Sequence, residues 1–583
     1  MPEIVSETIQ TPVPGLRRAE LPNPEIKPDI SRSIQKLAAN YSRSKPVYSD
    51  CWMLTESSQG EVLESYKLDG AEVRILNCPD GQVEYYITPF EYGLDRKTSR
   101  LVNDIIERIR DLPVQELGPE PGRDRIRHLA RSMLVQRARD MKVGLGEDAA
   151  EMDARVEELS SLVCRYTLGM GIFELLMSDP RLEDIYVDAP CDQNPIHVTL
   201  SGISFFNSQV RCRSNLMAES RELECLVSRL KRESGLPFSE INPVLETDIS
   251  GFDCRATVMA PPMSPVGLAM AIRKHSRQPW TLTRLLNNGT MDHWTAGLLS
   301  FLVDAKSTFL ICGARGAGKS SLLSALLFEF PLSQRILTIE DTSELPVQMM
   351  QRMGYKVQSM LIDERRGRNA VERAEEALRV SLRLGESSIV LGEVRGDEAR
   401  TLYQSMRAGR AGSSVLGTIH GDSAESLYER VVHDLQVPPE SFMATDVVIS
   451  MGLYRPKGSR RQSRRLMQLA TPVGEPGNFQ DLVAYAGPGW THSTQPSPLI
   501  SKAAAALNMS VPEALENIAL RGDMREFLHQ MQVKHQQDFL APEWVCRANE
   551  FMWRHLESGS GEPATVLKGF QEWFGRVNGI AIQ

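Results

Sequence analysis

Long apolar runs and paired cysteines are both missing from this sequence. Its 583 residues contain no run of 18 apolar residues, so we expect no segment that spans a membrane. The N-terminal stretch lacks the apolar centre of a secretory signal, so we expect no export signal. The nine cysteines include no C-x-x-C pair. That spacing disfavours a cysteine zinc site and indicates reduced thiols in a cytoplasmic protein.

An excess of positive charge is also missing. The chain carries 75 Asp and Glu residues against 66 Lys and Arg residues, a formal net charge of -9. Proteins whose main task is to hold nucleic acid are usually basic, because phosphate contacts dominate their affinity. We therefore expect no nucleic-acid partner. The 42% hydrophobic and 24% charged content is typical of globular protein.

Composition and periodicity divide the chain into six predicted segments. Residues 1–45 are a proline-rich, partly disordered tail, 46–149 a small α+β module with helices, 150–275 an α+β domain, 276–290 a linker, 291–455 an α/β domain, and 456–583 a basic hairpin followed by a helical region. Within the fifth segment, strands are predicted at 308–312, 335–340, 388–392 and 414–419, with helices between them, which is typical of a mostly parallel α/β sheet.

One stretch of this α/β segment carries a phosphate-binding motif. The strand at 308–312 leads into G-x-x-x-x-G-K-S, and an apolar stretch with helical spacing follows. A P-loop requires this order, because backbone N–H groups of the turn and of the helix N-terminus converge on a phosphate. The predicted nucleotide-binding residues are Gly313, Ala314, Arg315, Gly316, Ala317, Gly318, Lys319, Ser320 and Ser321.

Within the motif, Lys319 supplies a positive charge to the β and γ phosphates, and the Ser320 hydroxyl is a candidate ligand of Mg²⁺. Three carboxylates follow the next predicted strand: Glu340, Asp341 and Glu344. Carboxylates at the end of a parallel strand can order Mg²⁺, mostly through its water ligands. A turn followed by a helix cap is the alternative interpretation of the same cluster.

Two later strand ends carry further candidates for catalysis. Glu393 ends the strand at 388–392 and is a candidate to orient or activate the attacking water, although an exposed strand-end carboxylate has the same pattern. Gly392 stands where many P-loop enzymes place a metal-binding aspartate. His420 follows the strand at 414–419 and is interpreted as a γ-phosphate sensor or a relay between subunits, with a structural histidine as the alternative.

Two arginines lie upstream of the P-loop in predicted strands. Arg255 alternates with Ala256 and Val258, and Arg273 alternates with apolar neighbours in the same way. Because successive strand side chains point to opposite faces, both arginines are predicted to lie on the polar face. Solvated strand arginines would show the same pattern. Farther downstream, the basic run at 455–465 indicates either a solvated hairpin or a contact with an anionic membrane surface or an acidic partner.

Four motifs in this order, GARGAGKSS, TIEDTSEL, LGEVRG and GTIHGDS, resemble the Walker A, Asp box, Walker B and His box of type II/IV secretion-superfamily motor ATPases. The similarity is greatest to archaeal members that assemble type IV pili and archaella, and it covers about residues 160–455. The run RLGESS replaces the usual Arg-x-Pro-Asp approach to the Walker B strand, and the tetracysteine zinc module of bacterial members is absent.

The resemblance implies a RecA-like P-loop NTPase domain, preceded by an α+β, PAS-like N-terminal domain and followed by a small helical C-terminal region. It also implies a homohexameric ring that uses ATP and Mg²⁺. Arg255 and Arg273 match the positions of upstream-domain arginines that complete the phosphate site in this family. The implied partners are a polytopic protein of the membrane, at whose inner face the ring docks, and, indirectly, pilin-like subunits.

We therefore expect a cytoplasmic ATPase motor that couples ATP hydrolysis to assembly or secretion of type IV pilin-like subunits. The main alternative is a nucleic-acid translocase of a conjugation-type system, which the acidic balance disfavours. A non-hydrolysing ATP-binding scaffold is a further alternative, which the intact Lys319 and Glu393 disfavour.

Overall fold

The computed structural model describes residues 43–581 except 56–59, 80–81, 113–121, 201–209, 250, 275–277, 363–369, 382, 395, 397, 408–413, 459–461, 488, 536 and 558–561. Residues 1–42 of the predicted N-terminal tail therefore lie outside the described residues. The described chain is mixed α/β. It contains two nine-stranded sheets, both flanked by helices, and one small three-stranded sheet.

The first half of the chain contributes twelve strands to the small sheet and the first large sheet. They are β1 (Arg43–Ser44), β2 (Cys51–Leu54), β3 (Glu61–Leu68), β4 (Ala71–Asn77), β5 (Val83–Pro89), β6 (Leu182–Val187), β7 (His197–Leu200), β8 (Val210–Ser214), β9 (Leu216–Ala218), β10 (Val244–Ile249), β11 (Cys254–Met259) and β12 (Ala269–Lys274). The small sheet has the order β1-β2-β9. The large sheet has the order β10-β11-β12-β6-β7-β8-β5-β4-β3.

This first large sheet is continuous across the boundary predicted at residue 149. Strand β5 from the upstream side pairs in parallel with β8 from the downstream side, whereas the other neighbours in the sheet are antiparallel. The buried carboxylate of Asp179 adds a second link, because the Tyr66 and Tyr85 hydroxyls both donate to its Oδ2 at 2.7 Å. Upstream and downstream strands therefore share one core.

Five helices accompany the first sheet: α1 (Arg96–Arg110), α2 (Arg123–Met141), α3 (Ala149–Thr167), α4 (Ile172–Ser178) and α5 (Ser220–Ser234). Helix α1 buries Leu101, Ile105, Ile106 and Ile109 on one face. That face packs with α2 and α3 into a helical core of its own. The Asp95 side chain caps α1 by accepting hydrogen bonds from two first-turn N–H groups.

The second half builds the second large sheet from nine strands. They are β13 (Phe309–Gly313), β14 (Arg335–Glu340), β15 (Lys356–Leu361), β16 (Ser388–Leu391), β17 (Val415–Ile419), β18 (Val447–Tyr454), β19 (Ser463–Pro472), β20 (Phe479–Tyr485) and β21 (Trp490–His492). Their order is β15-β14-β16-β17-β13-β18-β19-β20-β21. In this order, each strand from β15 to β18 is parallel to its neighbour, and each strand from β18 to β21 is antiparallel to its neighbour. The four strands predicted in this segment are confirmed to within one residue.

Among the described residues, twelve α-helices follow the linker segment. They are α6 (Leu282–Asn287), α7 (His293–Asp304), α8 (Lys319–Leu327), α9 (Val347–Arg352), α10 (Ala370–Ser381), α11 (Glu398–Arg407), α12 (Ala424–Glu429), α13 (Pro439–Phe442), α14 (Pro498–Ala506), α15 (Val511–His535), α16 (Pro542–Glu557) and α17 (Pro563–Asn578). A short π-helical turn, Arg430–Asp434, extends α12. The central strands β13, β16 and β17 are buried at every position, as expected of parallel strands covered on both faces. This parallel half of the sheet forms the core of the second half of the chain.

The C-terminal helices are packed directly onto this core. Helix α15 crosses α7 so closely that a Cβ on Gly297 would lie 2.2 Å from the Ile518 carbonyl oxygen. Beside the crossing, the buried Arg525 pairs with the buried Glu329, which follows the P-loop helix α8, and Asn549 donates to the same carboxylate at 3.0 Å. Removing one partner of such a buried pair typically costs about 3–5 kcal/mol, so the contact anchors the C-terminal region.

No single helix among the described residues has both the length and the apolar character needed to cross a membrane. Helices α3 and α4 meet the length and composition criteria only when joined, and they are bent by 105° relative to each other.

Candidate functional site

The glycine-rich turn between β13 and α8 has the backbone that a phosphate site needs. Gly313, Gly316 and Gly318 have φ values of 156°, 80° and 98°, a region that side chains disfavour. At Gly313 the space is closed as well, because a Cβ would lie 2.4 Å from the Met451 carbonyl oxygen of β18. Helix α8 begins at Lys319, so its free N–H groups start at the turn.

The Lys319 side chain folds back over this turn. Its ammonium donates to the carbonyl oxygens of Gly313 at 2.8 Å and Ala314 at 3.2 Å. Burial lowers its pKa, and the charges of Glu393 and Glu344 oppose that shift. The Lys319 ammonium therefore lies close enough to the carboxylates of Glu393 and Glu344 for their charges to act on it. Ser320 and Ser321 follow it, half-buried in the first turn of α8.

Glu340 ends β14 and is only 2% exposed. Its Oε1 accepts hydrogen bonds from the N–H groups of Glu344 and Leu345, both at 2.9 Å, while no hydrogen-bond partner is found for Oε2 among the described residues. Burial raises its pKa to about 7, against the effect of the two N–H donors. Asp341 and Glu344 are exposed beside it. Over the described residues, no set of three His, Cys, Asp or Glu side chains is arranged to hold a metal.

Gly392 lies directly beside Glu340. A Cβ at position 392 would come within 3.2 Å of Glu340 Cγ, which is closer than side chains usually approach. The Gly392 N–H also donates to Ile339 O at 2.9 Å, which joins the ends of β14 and β16. A side chain at residue 392 would therefore require Glu340 to shift by a few tenths of an ångström, which glycine avoids.

Glu393 and His420, predicted from two separate strands, are brought together. His420 Nε2 lies 2.9 Å from Glu393 Oε1, with the histidine side chain 43% and the glutamate side chain 19% exposed. The backbone holds this pair in place, because Val394 N–H donates to Thr418 O at 2.8 Å and the Thr418 hydroxyl donates to Gly392 O. A carboxylate next to an imidazole can accept a proton while the imidazole orients it.

The two upstream arginines lie where strand parity predicted. Arg255 of β11 and Arg273 of β12 are directly opposite each other in the register, so they share one face of the sheet. Arg255 reaches the second sheet, donating to the Thr342 hydroxyl in the loop after β14 and to Glu246 at 3.0 Å. Arg273 is exposed, and in the described chain no hydrogen bond joins it to the P-loop.

Sequence reasoning missed two residues at this site. Thr342 is the partner of Arg255, and Arg464 of β19 donates from Nε to the Gly316 carbonyl oxygen at 3.0 Å. Only the basic run at 455–465 pointed to Arg464, and it was interpreted as a solvated or membrane-facing feature. Arg315 of the turn is exposed to solvent.

Comparisons with known proteins agree with this geometry. A sequence model of the family described as "Type II/IV secretion system protein" matches residues 178–476, just over half of the chain. An uncharacterized protein of Methanocaldococcus jannaschii is 26% identical over 372 residues, which cover 62% of this chain and 47% of the relative. This chain therefore spans only about half the length of that relative.

Protein VirB11 of Rhizobium radiobacter is 30% identical over 263 residues, covering 41% of this chain and 72% of VirB11. Among solved structures, the ATPase DotB of Legionella pneumophila matches with a TM-score of 0.38 and 14% identity. The match covers 62% of this chain and 90% of DotB.

Proposed function

This chain belongs to the type II/IV secretion system protein family, and on that premise we propose that it hydrolyses ATP to drive a secretion or pilus-assembly motor. The observation that carries the proposal is the convergence of Lys319, Glu340 and the Glu393–His420 pair at one edge of the parallel sheet. Open α/β sheets keep their chemistry at this edge, because the carboxyl ends of the strands and the helix N-termini meet there.

Binding of the triphosphate is assigned to the turn and Lys319. The turn's N–H groups and the start of α8 face the phosphates, and the Lys319 ammonium exchanges its two carbonyl partners for phosphate oxygens. The phosphate oxygens carry negative charge, which the carbonyl oxygens lack, and this attraction favours the exchange.

The residues present suit Mg²⁺. Glu340 offers a buried carboxylate oxygen that has no hydrogen-bond partner among the residues the structure describes, and hard divalent cations prefer oxygen ligands of this kind. Ser320 would contribute its hydroxyl, while the exposed Asp341 and Glu344 would order the ion's waters. When bound, Mg²⁺ neutralises charge on the β and γ phosphates. Because Glu340 fills the space next to Gly392, we assign to it the position that other P-loop enzymes give to the Walker B aspartate.

Glu393 is assigned the role of orienting the attacking water and accepting its proton. His420, 2.9 Å away, would hold the carboxylate in one orientation and respond to the γ-phosphate. Arg255 and Arg273 would stabilise the charge that grows on the phosphates during transfer. The contact of Arg255 with Thr342 supports this role, because it places the arginine on the loop that carries Asp341 and Glu344.

The finer parts of the proposal follow from family membership. They comprise a homohexamer with one ATP site per subunit, docking at the inner face of the membrane on a polytopic platform protein, and action on pilin-like subunits through that platform. The six segments, including a PAS-like N-terminal domain and a cytoplasmic ATPase domain at 291–455, belong to the same proposal.

Phosphate release by the purified full chain with ATP and Mg²⁺ tests the activity, with Lys319→Ala as the background. We expect turnover that depends on Mg²⁺ and rises when the platform protein is added in vesicles. Turnover no higher than that of Lys319→Ala would refute the proposal. Stimulation by single-stranded DNA but not by the platform would favour the translocase alternative instead.

A further inference from the structure

We propose that Arg464 is a positioning residue of the nucleotide site, which holds the glycine-rich turn in its phosphate-binding shape through the Gly316 carbonyl group. The inference rests on the proposed nucleotide-binding function and assigns a role within that site to the basic run at 455–465. The hydrogen bond from Arg464 Nε to Gly316 O measures 3.0 Å and joins residues 148 positions apart in the chain.

Arg464 reaches the turn from the strand next to β18. In the sheet, β18 lies between the P-loop strand β13 and β19, and Met451 pairs with Leu466 at the level of the turn. The stem of the arginine then passes over Gly318, where a Cβ would lie 3.3 Å from Arg464 Cδ. The side chain thus spans the turn from Gly318 to Gly316, and glycine at 318 leaves the room it needs.

The carbonyl groups of the turn explain why such a residue is needed. A turn that points its N–H groups inward at an anion points carbonyl groups outward, where they require other donors. In this structure the Lys319 ammonium donates to the carbonyl oxygens of Gly313 and Ala314, but it must break these hydrogen bonds to bind a phosphate. Arg464 comes from a neighbouring strand and has no such second task. It can therefore hold Gly316 both before and after nucleotide binds.

The next residue provides a matched control. Arg465 points away from the turn, since neighbouring strand residues face opposite sides. Its Nη1 donates to the Arg464 carbonyl oxygen at 2.9 Å and lies 3.5 Å from Asn288 O. Arg465→Ala therefore removes the same charge one residue away without touching the turn.

Three substitutions of Arg464 separate the hydrogen bond from the charge. In Arg464→Gln, the amide nitrogen is as many bonds from the backbone as the arginine Nε, so a neutral donor to Gly316 O is kept. Arg464→Lys keeps the charge but places a methylene where Nε was, with the ammonium one bond farther out. Arg464→Ala removes both.

The measurement is the affinity of the full chain for ADP, by calorimetry, together with the unfolding temperature without nucleotide. We expect Arg464→Ala and Arg464→Lys to weaken ADP binding about three- to tenfold, the worth of one partly exposed hydrogen bond. Arg464→Gln should retain most of the affinity, and Arg465→Ala should stay within about twofold of wild type. The unfolding temperatures of all four variants should equal that of wild type. If Arg464 had a purely structural role, its variants would unfold at lower temperatures and would not show this order of ADP affinities.

The order of the variants decides the outcome. If Arg464→Lys binds ADP better than Arg464→Gln, or if Arg464→Ala binds like wild type, the positioning role is refuted. Should the wild-type chain bind neither ADP nor ATP, the proposed function itself fails. A failure confined to the Arg464 variants leaves that function untouched.

Discussion

Replacing Arg273 with alanine should stabilise the fold and impair the enzyme at the same time. Arg273 lies directly opposite Arg255 in the β11–β12 register, so two residues of like charge share one face with Cβ atoms about 5 Å apart. A pair of this kind costs stability. The opposite signs of the two effects distinguish this site from an ordinary surface arginine.

The stability gain follows from the cross-strand geometry. Like charges directly opposite each other on an antiparallel pair cost about 0.2–1 kcal/mol. Glu246 lies 3.0 Å from Arg255, and Asp184 is opposite Arg273 in the next strand, so part of the repulsion is already neutralised. We therefore expect the low end of this range, which corresponds to a rise of at most about 1 °C in the unfolding temperature of Arg273→Ala.

The loss of turnover should be much larger. An arginine that stabilises the transferring phosphoryl group is worth about 10³–10⁵ in rate, so Arg273→Ala should lower kcat at least a hundredfold. ADP lacks the γ-phosphate, so its affinity should stay within about threefold of wild type. Arg273→Lys should recover little, because a point charge does not replace the planar guanidinium. Steady-state phosphate release and ADP calorimetry on the full chain measure both quantities.

Arg211 provides the control. It is an exposed strand arginine on β8, three strands from β12 in the same sheet, and Arg211→Ala should change neither turnover nor stability measurably. An Arg273→Ala variant with wild-type turnover and an unchanged unfolding temperature would show that Arg273 is a solvated strand residue. The proposed arginine contribution to catalysis would then rest on Arg255 alone.

Three further outcomes are expected. Lys319→Ala should abolish measurable ATP binding in calorimetry while its circular dichroism stays that of wild type, and wild-type affinity would refute the P-loop assignment. Glu393→Gln should lower kcat about 10²–10⁴-fold at unchanged ATP affinity, and a loss of only twofold would leave Glu393 a strand-end carboxylate. Glu222 accepts a hydrogen bond from Asp50 N–H at 3.2 Å, and burial raises its pKa from 4.5 to about 7. The folded state therefore holds the proton more tightly than the unfolded state. The contribution of Glu222 to the free energy of unfolding is present below about pH 4.5 and is lost as the pH rises through 7. Urea unfolding should therefore find Glu222→Gln more stable than wild type at pH 8, by up to about 3 kcal/mol, and equal to it near pH 4.

Features that depend on neighbouring residues were predictable from the sequence. The glycine-rich motif is a contiguous stretch whose strand and helix follow from local periodicity, so β13 lies, and α8 begins, within one residue of the expected position. The shared face of Arg255 and Arg273 was predictable for the same reason, since period-two alternation is a property of any extended backbone.

The limits of that reasoning show at Glu393 and Arg464. Glu393 and His420 were proposed as separate strand-end groups, and only the adjacency of β16 and β17 makes them a pair at 2.9 Å. Arg464 belonged to a basic run with two other interpretations, and its contact with Gly316 arises only because β18 separates β19 from the P-loop strand by a single position.

The sequence by itself determined the four strands predicted in the α/β segment, the glycine-rich turn between β13 and α8, and the face to which Arg255 and Arg273 point. The direction of side chains repeats every 2.0 residues in a strand and every 3.6 residues in a helix, so the pattern of apolar residues along the sequence shows it. The tertiary structure alone decided that Glu340 fills the space beside Gly392, that Arg255 contacts Thr342, and that Arg464 supports the turn. These contacts depend on the order of strands in two sheets, which is set by packing between distant segments and has no period in the sequence.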